Sequence, residues 1–226
     1  MFAVGHMAIA YLLGKGSSMA LHTKVNIPLL LVLSIIPDVD IIFDYLTGAQ
    51  IHRGPTHSIV VAALIFTPLF IHYGKQAIPY FLALISHFVI ADFFIGGQLQ
   101  LFWPLTTQQF GAYELGFYYI SIWNPINILT EIMLFATAMA ILYKTGDWRA
   151  FFKADKLNLV LFLPIVCVLL PSTIGYPFDG SLLFRSPLLA FAHLVFLALF
   201  TIAVYKTLIS IYHQWFCSEA ADSSVG

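Results

Sequence analysis

Seven apolar runs, at about 2–14, 27–47, 57–73, 77–97, 118–143, 157–177 and 186–211, leave this chain few ways to fold. Six of them approach the roughly 20 residues that carry an α-helix across a bilayer. The first is too short to cross, at about 1.5 Å per residue, and reads as a half-crossing. Only 9% of the 226 residues are charged, against about 25% in soluble domains, too few to clothe a surface that faces water. The expectation is an all-α, polytopic transmembrane helical bundle of about six spans plus a short N-terminal half-helix. Residues 1–214 form one domain, with additional helices at about 118–214 and a short polar tail at 215–226.

Several function classes fall away at once. A net charge of −1 offers no basic patch for nucleic acid, because such binding rests on neutralised phosphates. Cys167 and Cys217 are too few and too far apart for a disulfide framework or a thiolate metal site. The opening MFAVGHMAIAYLLG lacks the basic region of a cleavable signal peptide. The lipid bilayer is the partner that the composition names.

Orientation follows from the basic residues, which favour the cytoplasmic side. Lys144, Arg149, Lys153 and Lys156 form the densest basic cluster. Alternation from that loop places Lys75, Lys15, Lys24 and the C-terminus inside, and the loops 48–57 and 178–185 outside. Arg53 and Arg185 are the exceptions, on the outer side. The chain therefore reads as a multi-pass protein of the plasma membrane with a cytoplasmic C-terminus.

Ionisable groups within spans cost about 2.5–3.5 kcal/mol each on insertion scales, so each one asks for a function. Asp38, Asp40 and Asp44 lie in the second half of the second run, and His87 and Asp92 in the second half of the fourth. His6 opens the first run, and His52 and His57 flank the start of the third. Under alternating topology all of these arrive at one level, near the outer face. Imidazoles mixed with carboxylates suit zinc, manganese or iron. In PDVD the two acids point apart on a regular helix, but Pro37 favours a local break that turns both toward one centre. Asp40 and Asp44 share a face if the helix resumes. In HRGPTHS, Gly54 and Pro55 make a turn that folds His52 back toward His57, and Arg53 offers a guanidinium to an anionic substrate oxygen.

Plainer readings stand beside these. A single intramembrane Asp can pair with an Arg or His neighbour, and His6 can be a satisfied polar contact. Glu131, near Asn124 and Asn127, fits a buried hydrogen-bond network. His193 and His72 read as an isolated polar group and an interface residue, and His22 and His213 as solvated. FFIGGQLQLFWPL reads mostly as an interfacial aromatic belt. The combination of PDVD, the paired-histidine loop and the His87/Asp92 helix at one level favours a metal site.

These motifs, in this order over about residues 5–105, resemble those of the YdjM-like family of membrane-bound, predicted metal-dependent hydrolases: GH, PDVD, HRGPTHS, SHFVIAD and GGQLQLFWPL. That family is distantly similar to the zinc-dependent phospholipase C and single-strand nuclease superfamily. The resemblance implies a metal-site half at about 1–105, with His6, Asp38, Asp40, His52, His57, His87 and Asp92 as ligands. Seven ligands exceed the three that one catalytic zinc takes from protein, so two or three ions are expected. The implied activity is hydrolysis of a phosphoester, lipid-linked in one version, by a metal-activated water. Asp38 or Asp40 would bridge ions or act as base toward the water, and Arg53 would bind substrate charge. One departure stands out. The family pattern spaces its helical His and Asp at i and i+4, whereas His87 and Asp92 are five apart, about 140° around an ideal helix. Either the helix bulges there or Asp92 orients another ligand. A divalent-metal transporter or channel and a non-catalytic protein with a structural metal are the alternatives.

Overall fold

The computed structural model describes residues 1–48, 51–175 and 181–222, the stretch 216–222 by backbone alone. Helix α1 spans Ala3–Ala20, α2 Ile27–Leu33 and α3 Asp40–Thr47, with a 3-10 turn at Ile36–Val39 between the last two. Helix α4 spans Ile59–Tyr73. Helix α5, Ile78–Ser86, continues through a π-turn at His87–Ala91 to Phe94. Helices α6, Pro125–Thr145, α7, Lys156–Ile174, and α8, Pro187–Asp222, complete the bundle. Among the described residues the only β pairing is two isolated bridges, Ile95–Ile120 and Leu99–Phe110.

Four helical stretches among the described residues are long and apolar enough to cross a membrane, where six were expected: Ile59–Phe94, Pro125–Thr145, Lys156–Ile174 and Pro187–Trp215. The first of these folds back on itself at residues 74–77. The rings of Phe66 and Phe81 lie 5.3 Å apart, whereas fifteen residues of straight helix would separate them by about 22 Å. The second run is broken rather than continuous, because Pro37 cannot donate to the preceding turn and the chain tightens into a 3-10 turn around it.

The apolar run at 2–14 lies in an 18-residue helix, about 27 Å long, which is not one of the four candidate spans. It continues past Lys15 because that charge is neutralised by Asp147, 2.7 Å away, which also accepts a hydrogen bond from Tyr11. The polar tail expected at 215–226 begins as helix, since α8 reaches Asp222, and 223–226 lie outside the described residues. So do 49–50 of the outer loop and 178–180 of the loop 178–185.

Direction alternates along the chain. Lys15 at the end of α1 meets Asp147 beyond α6, and the Asn26 backbone N–H before α2 donates to the Tyr80 hydroxyl early in α5. Phe2 and Glu131, at the opposite ends of α1 and α6, meet at the other extremity. Small residues let the helices approach closely, as membrane helices require when lipid is as apolar as the core. Ala3, Ala8, Ala10, Ala83 and Ala138 are all buried, along with Gly14, against which Leu30 packs. Large apolar side chains such as Leu64, Ile71, Met133 and Phe191 point outward. Polar groups such as Asp92, His87 and Glu131 are buried inside the apolar core, and large apolar side chains face outward, an arrangement that suits lipid.

Candidate metal centre

The break around Pro37 brings Asp38 and Asp40 to the same neighbourhood by different routes. Asp38 Oδ1 lies 3.2 Å from His87 Nε2 and 3.6 Å from His57 Nε2. Asp40 turns the other way around His57. Its Oδ1 is 2.7 Å from His52 Nδ1, and its Oδ2 accepts from the Thr56 hydroxyl and lies 3.8 Å from His57 Nδ1. Asp44, one turn on, accepts from the backbone N–H groups of Ile51 and His52 at 2.9 and 3.1 Å. Asp40 and Asp44 thus share a face and together pin the histidine loop.

That loop folds as its composition requires. His52 and His57 stand edge to face with ring centroids 5.0 Å apart, and Pro55–His57 forms a 3-10 turn. Ser58 caps α4 by accepting from Val60 and Val61, and it donates to the Trp103 carbonyl at 2.6 Å, fixing the backbone beside His57. His87 arrives from α5, which runs antiparallel to α4. Asp92 joins it because the helix bulges: the Asp92 N–H reaches the His87 carbonyl in a π-turn. The extra residue is absorbed there, and both side chains face the centre despite their spacing of five. Asp92 Oδ2 lies 3.7 Å from both His57 Nε2 and His87 Nε2.

Proton bookkeeping fixes the chemistry of this cluster. His87 Nδ1 lies 2.6 Å from the Ser34 carbonyl, which only accepts, so Nδ1 carries a proton and in the neutral ring Nε2 presents a lone pair. Thr56 gives its single hydroxyl proton to Asp40 and therefore accepts from His57 Nδ1, 2.9 Å away. In the neutral ring the Nε2 of His57 is then also a lone pair, and it faces His87 Nε2 at 3.2 Å. Two lone pairs and two carboxylates directed at one point call for a cation. Zinc with ligands at about 2.0–2.1 Å would separate them by about 3.3–3.4 Å along each tetrahedral edge, close to the 3.2–3.7 Å spacings of every pair but Asp38–Asp92, which lie within 4.8 Å of each other. Asp38, His57, His87 and Asp92 are all buried, with one ligand atom each within 4.8 Å of the others. Asp40, His52 and His57 form a second such group that shares His57. His52 lies outside the spans. Burial pulls its pKa down, but the Asp40 hydrogen bond and the charges of Asp38 and Asp40 outweigh that and raise it.

His6 sits beside these two groups rather than within either. Its ring stacks on His87 with centroids 3.9 Å apart, and its Nε2 lies 3.4 Å from Asp92 Oδ1. The Met1 amino nitrogen shares that oxygen at 3.0 Å. Glu131 forms the buried network expected of it, accepting from the backbone N–H groups of Phe2 and Gly5 and from Asn127. It caps the start of α1 from across the bundle, satisfying amides that a helix end leaves orphaned. Gly5 permits the approach, since a Cβ there would lie 2.9 Å from Glu131 Cγ. His193 is a satisfied polar group, with Nε2 2.9 Å from the Leu169 carbonyl.

Arg53 is held in an unusual way. Its own φ is +66°, and its guanidinium donates to the Gly96 carbonyl and lies 3.8 Å from Asp92 Oδ2. It lies over Gly96 and Gly97, where added Cβ atoms would come within 2.9 and 3.3 Å of its nitrogens. Sequence reasoning took the segment around these glycines for an interfacial belt and missed their part in the site. It also passed over Thr56 and Ser34. The pattern gives no signal for a hydroxyl or carbonyl that sets an imidazole tautomer from another segment. Above Arg53 and His52 opens a cavity of about 570 Å³, walled by Gly96–Gln98, Gln100, Gln109, Tyr113 and Tyr119.

A family model described as YdjM inner membrane protein matches residues 1–210. No curated protein and no solved structure matches the chain.

Proposed function

The chain belongs to the YdjM family of inner membrane proteins, and from that membership and its buried His/Asp cluster we propose a membrane-embedded, metal-dependent hydrolase that acts on a phosphoester. The observation that carries this reading is the pair of facing Nε2 atoms of His57 and His87, 3.2 Å apart beside Asp38 and Asp92. Zinc is the ion that this donor set suits best, with manganese or iron as substitutes. Asp40 and His52, the members of the second group outside the first, would hold a second ion. When bound, such ions lower the pKa of a coordinated water and polarise a phosphoryl oxygen.

The chain's own groups have distinct tasks. Arg53 keeps guanidinium N–H groups beyond the one given to Gly96, and these orient phosphoryl oxygens at the cavity floor. Asp38, with 12% of its side chain exposed, is placed to take a proton from the attacking water. The water oxygen bonds to phosphorus, the bond to the alcohol oxygen breaks, and that oxygen takes a proton from solvent in the open cavity. Seven helical runs with about six crossings, the site at the outer face and the C-terminus inside, complete this reading. Nothing favours transport. The site lies at one end of the bundle, and a second polar cavity of about 410 Å³ lies at the other, near Asp147 and Arg149. Between them sits an apolar core that includes Met7, Leu30, Leu31 and Phe196.

The test is metal content and phosphodiesterase turnover of the purified protein beside His57→Ala and His87→Ala. The wild type is expected to retain divalent metal and to cleave a chromogenic phosphodiester. Each variant should lose the metal and at least about 10³-fold in kcat/KM. Metal content and turnover unchanged in both variants would sink the proposal.

A further inference from the structure

The cavity over the metal centre has walls of one chemical kind. Its carboxamides, Gln98, Gln100 and Gln109, each offer both donors and acceptors, the pattern that matches hydroxyl groups. Tyr113 and Tyr119 stand edge to face, with centroids 6.0 Å apart, and present ring surface against which the C–H face of a sugar can stack. No aliphatic side chain lines it among the described residues, so an acyl chain would gain no apolar contact there. Arg53 is its one fixed charge. The nearby carboxylate, Glu114, is engaged by the Gln98 amide at the rim. A cationic group placed in the cavity would face the Arg53 guanidinium, with the Glu114 carboxylate off to one side at the rim.

The cavity is built rather than incidental. Its wall is stitched to the bundle by backbone hydrogen bonds: Leu99 and Phe110 exchange two at 2.8 Å, Ala112 donates to Phe93 at 2.8 Å, and Gly96 to Ile120 at 3.1 Å. Gln100 donates its N–H to the Arg53 carbonyl at 3.0 Å, tying wall to floor. The volume, about 570 Å³, is within the range of small-molecule sites.

We infer that this cavity receives the alcohol half of the substrate, and that this half is a neutral polyol or sugar esterified to phosphate. The inference rests on the hydrolase reading for its geometry, because Arg53 and His52 floor the cavity and border the ligand groups. Its own content is the recognition of hydroxyls, which binding reports separately from turnover.

The test uses the purified full chain with zinc. Thermal-shift titrations compare inositol 1-phosphate and glycerol 3-phosphate with phosphocholine. Turnover is compared on phosphatidylinositol vesicles, phosphatidylcholine vesicles and soluble glycerophosphoinositol. The polyol phosphates should bind at least about tenfold more tightly than phosphocholine, since a site built to hydrogen-bond hydroxyls rejects analogues lacking them. Gln109→Leu and Tyr119→Ala should erase that preference while leaving metal content unchanged. Turnover of the vesicles supports a lipid headgroup as the source, and turnover of the soluble ester a free metabolite. A polyol preference without any turnover supports this inference and overturns the hydrolase reading. Equal or tighter binding of phosphocholine overturns the inference, whatever the turnover.

Discussion

Thr56 decides what His57 can do. By donating to Asp40 it becomes an acceptor for Nδ1, which leaves the Nε2 lone pair for the centre of the cluster. Ser34 does the same for His87 through its carbonyl. Such partners orient metal ligands and commonly set affinity by 10–100-fold. Arg53 depends on glycine in a comparable way. At Gly96, with φ +84°, a Cβ would meet Arg53 Nη2 at 2.9 Å, so Gly96→Ala should displace the guanidinium without touching a ligand. Turnover of a phosphodiester is expected to fall about 10²-fold, the usual cost of losing a charge-stabilising donor. Metal content, measured by elemental analysis, should stay that of the wild type, and loss of metal would count against the assignment to Arg53.

Two elements owe their form to what they hold. Helix α5 carries a π-turn at His87–Ala91 that costs regular hydrogen bonding and returns Asp92 to the face of His87. Bulges of this kind collect at functional sites for that reason. Helix α1 begins with its amides pointed at Glu131, a buried carboxylate of α6. Glu131→Leu would take the carboxylate partner from the Phe2 N–H, at about 1–3 kcal/mol, while the Gly5 N–H keeps its bond to the Phe2 carbonyl at 3.0 Å. His6 follows directly and stacks on His87, so the variant should melt earlier in detergent and also bind metal more weakly. Glu131→Gln keeps one acceptor and should fall between. A melting temperature equal to wild type in both variants would remove Glu131 from the support of the site.

The whole molecule separates its chemistry by end. The His/Asp groups and the cavity over Arg53 gather at one extremity, and Lys15, Asp147, Arg149 and Lys153 at the other. The basic cluster is expected to face the cytoplasm. With the native cysteines replaced, a single cysteine at 109 should react with an impermeant maleimide from outside intact cells, and one at 153 only after the membrane is opened. Labelling of both from the same side would contradict the alternating arrangement of the helices.

The legible part of this protein was what local chemistry carries. Apolar runs and sparse charge announce an all-helical membrane protein, because lipid leaves the backbone no other solution. Alternation alone brought Asp38, Asp40, His57 and His87 to one end, since it needs only the order of the runs. Pro37 announced its own break, and the five-residue spacing of His87 and Asp92 posed the alternative that the π-turn resolves. The length of α1 was not legible, because the charge that appears to end it at Lys15 is cancelled by Asp147, 132 residues away. Nor were the hairpin within Ile59–Phe94, the glycine bed under Arg53, or the hydroxyl and carbonyl that choose each imidazole's tautomer. Those depend on contacts between segments distant in the chain, and only packing decides which of them meet.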